Sequence, residues 1–117
     1  AQGAPVWQYR FSYVAESQRK DWWSAPHATE IPFVFDTVDA RYGTALTPAD
    51  AAAAKAAHAY WIAFAAKGRP ATAGQPAWPR FDAKSDTIID FANDGVKVGP
   101  DPLKARLDLV EASIPGG

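Results

Sequence analysis

The stretch Val6-Trp7-Gln8-Tyr9-Arg10-Phe11-Ser12-Tyr13-Val14 decides how the rest of the chain reads. Trp7, Tyr9, Phe11 and Tyr13 alternate with Gln8, Arg10 and Ser12, the period-2 pattern of a β-strand. Aromatic and β-branched residues suit a pleated, packed surface. A strand with one such aromatic face needs something large to pack against and is not stable alone.

Downstream, a polar stretch leads into Asp21-Trp22-Trp23-Ser24-Ala25-Pro26-His27. Pro26 drives Ala25 toward extended geometry, which puts His27 on a loop. In Thr29-Glu30-Ile31-Pro32-Phe33-Val34-Phe35, Thr29 is an N-cap candidate and Pro32 falls in the first turn, so a short helix is expected. Residues 36–46 read as loop. Thr47-Pro48-Ala49-Asp50 combines an N-cap, a proline at the first helical position and an acid at the third, opening an Ala-rich helix that stops at Gly68. Ala53, Ala57, Tyr60, Trp61 and Phe64 form its core-facing stripe. A Pro/Gly/Ala connector holding Trp78 follows. Residues 87–91 and 96–98 read as a hairpin around Asn93-Asp94-Gly95. Asp101-Pro102 opens a last helix with Leu103, Leu107 and Val110 on one face. There is no internal repeat, and residues 1–117 read as a single unit.

Composition supports one packed domain: 48% of the 117 residues are hydrophobic and 13% aromatic, with five Trp. Twelve basic against thirteen acidic residues give a net charge of −1, so there is no electrostatic ground for binding nucleic acid or an anionic membrane. No apolar run approaches the roughly 20 residues of a membrane span. Without cysteine, and with only His27 and His58, neither a thiolate nor a histidine-rich metal site is expected, and no cofactor is implied. Asp82, Asp86, Asp90 and Asp94 lack the spacing of an EF-hand loop. Methionine is also absent, so Ala1 is not an unprocessed start. Either an initiator Met was removed or the residues come from a longer chain.

Four landmarks occur together in one order: Val6-Trp7-Gln8-Tyr9-Arg10-Phe11, His27-Ala28-Thr29-Glu30-Ile31-Pro32-Phe33-Val34-Phe35, Tyr60-Trp61-Ile62-Ala63-Phe64-Ala65, and Pro76-Ala77-Trp78-Pro79-Arg80-Phe81-Asp82. In that order the chain resembles the C-terminal portion of the type-B carboxylesterases, the cholinesterase-like branch of the α/β-hydrolases. The likeness runs from about Val6 to Ala112. The family often has Gly where Ala28 and Ser24 stand.

The resemblance implies an α/β class and the C-terminal section of an α/β-hydrolase fold: strand, catalytic-histidine loop, short helix, long helix packed on the sheet, small β-hairpin, terminal helix. It implies that His27 is the general base of a serine esterase, relaying a proton from the nucleophile to the leaving alcohol. Histidine suits this because imidazole ordinarily titrates near neutrality. From spacing alone, His27 reads as a loop histidine bonded to backbone, and it is the resemblance that reverses this for the complete enzyme. Glu30 reads as a supporting carboxylate, and otherwise as an acid favoured at a helix N-terminus. A local triad of Ser24, His27 and Glu30 is rejected, because it brings no oxyanion hole. Trp23 is expected at the substrate pocket of the complete enzyme, whereas Trp22 and Trp78 read as packing residues. His58 reads as an ordinary helix histidine.

No Gly-x-Ser-x-Gly elbow is present: of Ser12, Ser17, Ser24, Ser85 and Ser113, none lies between two glycines. The nucleophile and the acid would come from the remainder of the esterase chain, with a small-molecule ester as substrate. The isolated chain is expected to be inactive and, with its aromatic strand uncovered, to self-associate. A secreted or periplasmic location is the leaning. The alternative is a non-catalytic, esterase-derived interaction domain. A carbohydrate-binding module fits poorly, because the long helix does not suit a β-sandwich.

Overall fold

A computed structural model describes residues 3–115. Its strands are β1 (Tyr9–Phe11), β2 (Thr87–Ala92) and β3 (Gly95–Pro100). Its helices are α1 (Ile31–Val34), α2 (Val38–Tyr42), α3 (Pro48–Lys67) and α4 (Lys104–Ser113). Single 3₁₀ turns occur at Glu16–Gln18 and Gly43–Ala45.

The sheet order is β1-β2-β3, with β1 and β2 parallel and β2 and β3 antiparallel. Parallel neighbours need a long crossover, and here it contains α1, α2 and α3. Tyr9 lies opposite Ile89 and Phe11 opposite Phe91, so these four share one face. Arg10, Asp90 and Lys97 are aligned on the other.

The long helix packs on the aromatic face. Thr47 and Asp50 close a full capping box, and Gly68 ends the helix at φ 73°, its amide bonded to Phe64 O. Ala54, Ala57, Tyr60 and Ala63 are buried. Tyr60 spans the space between the helix and the sheet, its ring 5.7 Å from that of Phe91. Tyr60, Trp61, Trp78 and Phe91 join Tyr9 in a network of edge-on and tilted rings 5.0–6.4 Å apart. Such pairs add about 0.5–1.5 kcal/mol each beyond their burial. Trp61 is half-buried and Phe64 exposed, so the core-facing stripe is centred on Ala57 and Tyr60 rather than extending evenly to Phe64.

Three local readings are corrected. Residues 36–46 hold α2 and a 3₁₀ turn instead of loop, with Val38 buried against the core. Thr29 does not cap α1; its hydroxyl donates to Pro26 O, and the helix begins two residues later. The first strand is ladder-paired only at Tyr9–Phe11, although β2 continues beyond it at both ends; on its N-terminal side the carbonyls of Val6 and Gln8 accept from Phe81 N and Ile89 N.

On the opposite face, Arg10 donates from Nε and Nη2 to Asp101 at 3.0 and 3.2 Å. Asp101 in turn accepts from Leu103 N at 2.8 Å, leading into α4. Burial works against the Asp101 carboxylate, but the Arg10 bond, the Leu103 amide and the Arg10 charge together outweigh it and hold its pKa below the ordinary value. No residue of α4 is buried.

Candidate functional site

Local backbone chemistry presents His27. Pro26 cannot donate a hydrogen bond, but its carbonyl accepts from both the amide and the hydroxyl of Thr29, at 3.3 and 2.8 Å. Ala28 reverses the chain at φ 66°, in the left-handed region that a Cβ disfavours. Ile31 N then donates to Ala28 O, and Phe33 N and Val34 N donate to Glu30 O. The tight turn passes straight into α1 with His27 exposed on its outer side. Phe33 anchors the segment. It is fully buried between Phe11, Tyr13 and Tyr42, with ring centroids 5.2–6.2 Å away.

Glu30 occupies the N-cap position of α1 and is half-buried. Its charge is near enough to Tyr9 to raise that phenol's pKa, second to the effect of burial. Trp23 is 94% exposed. An aromatic groove of about 290 Å³ lies between β1 and α3, lined by Trp7, Tyr9, Trp61, Phe64 and Trp78. A second, of about 450 Å³, lies behind α3 beside His58. His27, Glu30 and Trp23 line neither. The structure thus places His27 and Glu30 on one continuous segment and leaves Trp23 apart, facing solvent. Trp78 is a packing residue, its Nε1 donating to Gln8 O at 3.1 Å. Among the described residues, no group of three or more His, Asp or Glu could hold a metal ion.

A buried polar hub behind the histidine segment was not read from the sequence. Asp50, fully buried, accepts from Tyr13 OH at 2.8 Å, Glu16 N at 3.0 Å and Thr47 N at 3.1 Å. Burial disfavours its charge, yet these bonds together hold its pKa below the ordinary value. Burial first, and then the Asp50 carboxylate, push the Tyr13 phenol upward, so it stays a donor. The capping motif announced only the contact with Thr47.

The model of the carboxylesterase family matches residues 1–110, a span that includes the whole histidine segment. The chain belongs to the carboxylesterase family. Among curated relatives, the fumonisin B1 esterase of Sphingopyxis macrogoltabida is 32% identical over 111 residues, covering 86% of this chain and 20% of that protein. Among solved structures, a PNB esterase superposes with a TM-score of 0.73 at 26% identity, over 89% of this chain and 21% of that one. The carboxylesterase EST55 of Geobacillus stearothermophilus gives a TM-score of 0.71 at 32% identity, over 92% and 22%. This carboxylesterase chain therefore spans about a fifth of the length of these relatives. Its three strands and the helices packed on them form the C-terminal section of an α/β-hydrolase fold.

Proposed function

We propose that this chain supplies the general base, His27, to a serine carboxylesterase whose nucleophile and acid lie in the remainder of the esterase chain. The carrying observation is the presentation of His27: exposed on a tight turn, continuous with a helix that a buried phenylalanine ties to the core. In that role the imidazole takes the serine proton as the ester carbonyl is attacked and returns it to the departing alcohol. It then activates the water that cleaves the acyl-enzyme. Glu30 supports the histidine segment, and Trp23, exposed here, borders the substrate once the remaining chain is in place. The chain alone hydrolyses no ester, since none of its serines sits in a nucleophile elbow.

The test is hydrolysis of a p-nitrophenyl ester by the 117-residue chain and by an esterase containing it. The chain alone should not exceed the background of free imidazole. In the complete esterase, His27→Ala should lower kcat at least about 10⁴-fold. Full activity of that variant overturns the reading.

The partners proposed for this chain are the remainder of the esterase chain and, in its absence, a second copy of itself.

A further inference from the structure

His58 stands on the face of α3 turned away from the sheet, yet its ring does not simply project into water. It is half-buried, and its Nδ1 lies 2.7 Å from the carbonyl oxygen of Val34. A carbonyl only accepts, so this contact requires the proton on Nδ1. Val34 is the last residue of α1, and the final carbonyls of a helix have no partners within it. Those of Ile31, Pro32 and Phe33 are met by the amides of Phe35, Thr37 and Asp36 at 3.1, 2.8 and 3.2 Å. That of Val34 is met by a side chain from another helix.

From Val34 the bonding runs back to the catalytic turn. Val34 N donates to Glu30 O at 2.9 Å, Ile31 N to Ala28 O at 3.4 Å, and Thr29 N and Oγ1 to Pro26 O. Residues 26–34 therefore form one hydrogen-bonded body, with His27 exposed at one end and the His58 contact at the other. Phe33 locks this body into the core at one point, and the hydrophobic effect that buries it is non-directional, which leaves the orientation about that point to other contacts. A second, directional attachment removes that freedom.

We propose that His58 is a positioning residue for His27: its Nδ1–H fixes the C-terminal end of α1 on α3, and with it the direction in which the His27 imidazole is presented. The catalytic part rests on the assignment of His27 as general base; the hold on the turn does not. Proton transfer needs hydrogen-bond geometry, and a misplacement of about 1 Å can cost on the order of 100-fold in rate.

Two variants and two readouts test this. In the ¹⁵N-labelled 117-residue chain, neutral His58 should show a protonated Nδ1 and a bare Nε2. His58→Ala should speed amide exchange at Ile31 and Val34 about fivefold, the loss of one hydrogen bond of about 1 kcal/mol. Exchange at Ile89 and Phe91 in β2 should stay unchanged. His58→Asn, whose amide N–H can reach the place of Nδ1, should restore protection. In an esterase containing the chain, His58→Ala should lower kcat about tenfold at constant KM, with recovery in His58→Asn. The opposite tautomer, uniform loosening of α1 and β2 alike, or an unchanged kcat in His58→Ala overturns the proposal. If exchange responds as expected but His27→Ala keeps full activity, the general-base assignment falls and the hold of His58 on the turn stands.

Discussion

Ala28 carries a Cβ in a backbone conformation, φ 66°, that costs an L-residue about 1–2 kcal/mol. The turn persists because Pro26 O and Ala28 O bond on either side of it and Phe33 is locked into the core. Glycine at this position removes the strain but also frees the unfolded chain by about 0.4–1 kcal/mol. Strain relief is the larger effect, so Ala28→Gly should stabilise the chain by about 0.5–1 kcal/mol. A higher urea midpoint at constant slope is the expected reading, and a lower midpoint contradicts the left-handed turn. At this scale the sequence was legible where a residue's chemistry is local. Pro26 alone puts His27 on a loop, and the family's frequent glycine after the histidine anticipates what Ala28 is made to do. His58 was not legible. Its bond joins residues 24 apart in sequence, and no periodicity or cap motif records such a contact.

Asp50 belongs to the element scale, because it joins three elements: Tyr13 after β1, the amide of Glu16 in the first 3₁₀ turn, and the start of α3. Asp50→Asn keeps the shape but turns an NH₂ group toward donors, leaving at least one of them unpaired in the interior. A loss of about 2–3 kcal/mol is expected. The pH dependence has a definite sign. Since the folded pKa is lowered, the unfolded chain takes the proton first as pH falls. The stabilisation is therefore complete above the ordinary carboxylate pKa and drains away as pH drops through it toward the folded value. Wild-type stability should decline from about pH 5 downward, and the Asn variant should decline less steeply. It should not become flat, because Asp101 is also lowered, by Arg10, and contributes in the same direction. Equal slopes in the two proteins would remove Asp50 from this role. Elements with strong local signals were legible: the cap and stop of α3, and the Asn93-Asp94-Gly95 hairpin with Gly95 at φ 122°. The shortened β1 and the added α2 were not, since the length of β1 is set by its pairing with a strand some 80 residues away and Val38 is helical partly because it has a core to enter.

Across the whole molecule, the two faces of the sheet are unequal. One holds the aromatic core under α3. The other carries Arg10, the buried Asp90 and Lys97, beside a helix that buries none of its residues. Leu107 and Val110 on that helix remain 49% and 54% exposed, and Asp90 Oδ1 is enclosed without a partner among the described residues. Parallel strand pairs are ordinarily covered on both faces. In addition, β1 lies at the edge of the sheet beside the exposed Tyr9 and Phe64, an arrangement that invites further pairing. The isolated chain should therefore associate. Light scattering at micromolar concentration should give about twice the 12.6 kDa of one chain. Leu107→Glu removes an apolar contact while disturbing nothing buried in the single chain, so it discriminates between the two surfaces. A shift toward monomer places the contact on α4, and an unchanged mass places it at the β1 edge. A monomer throughout the concentration range would withdraw the second copy as a partner.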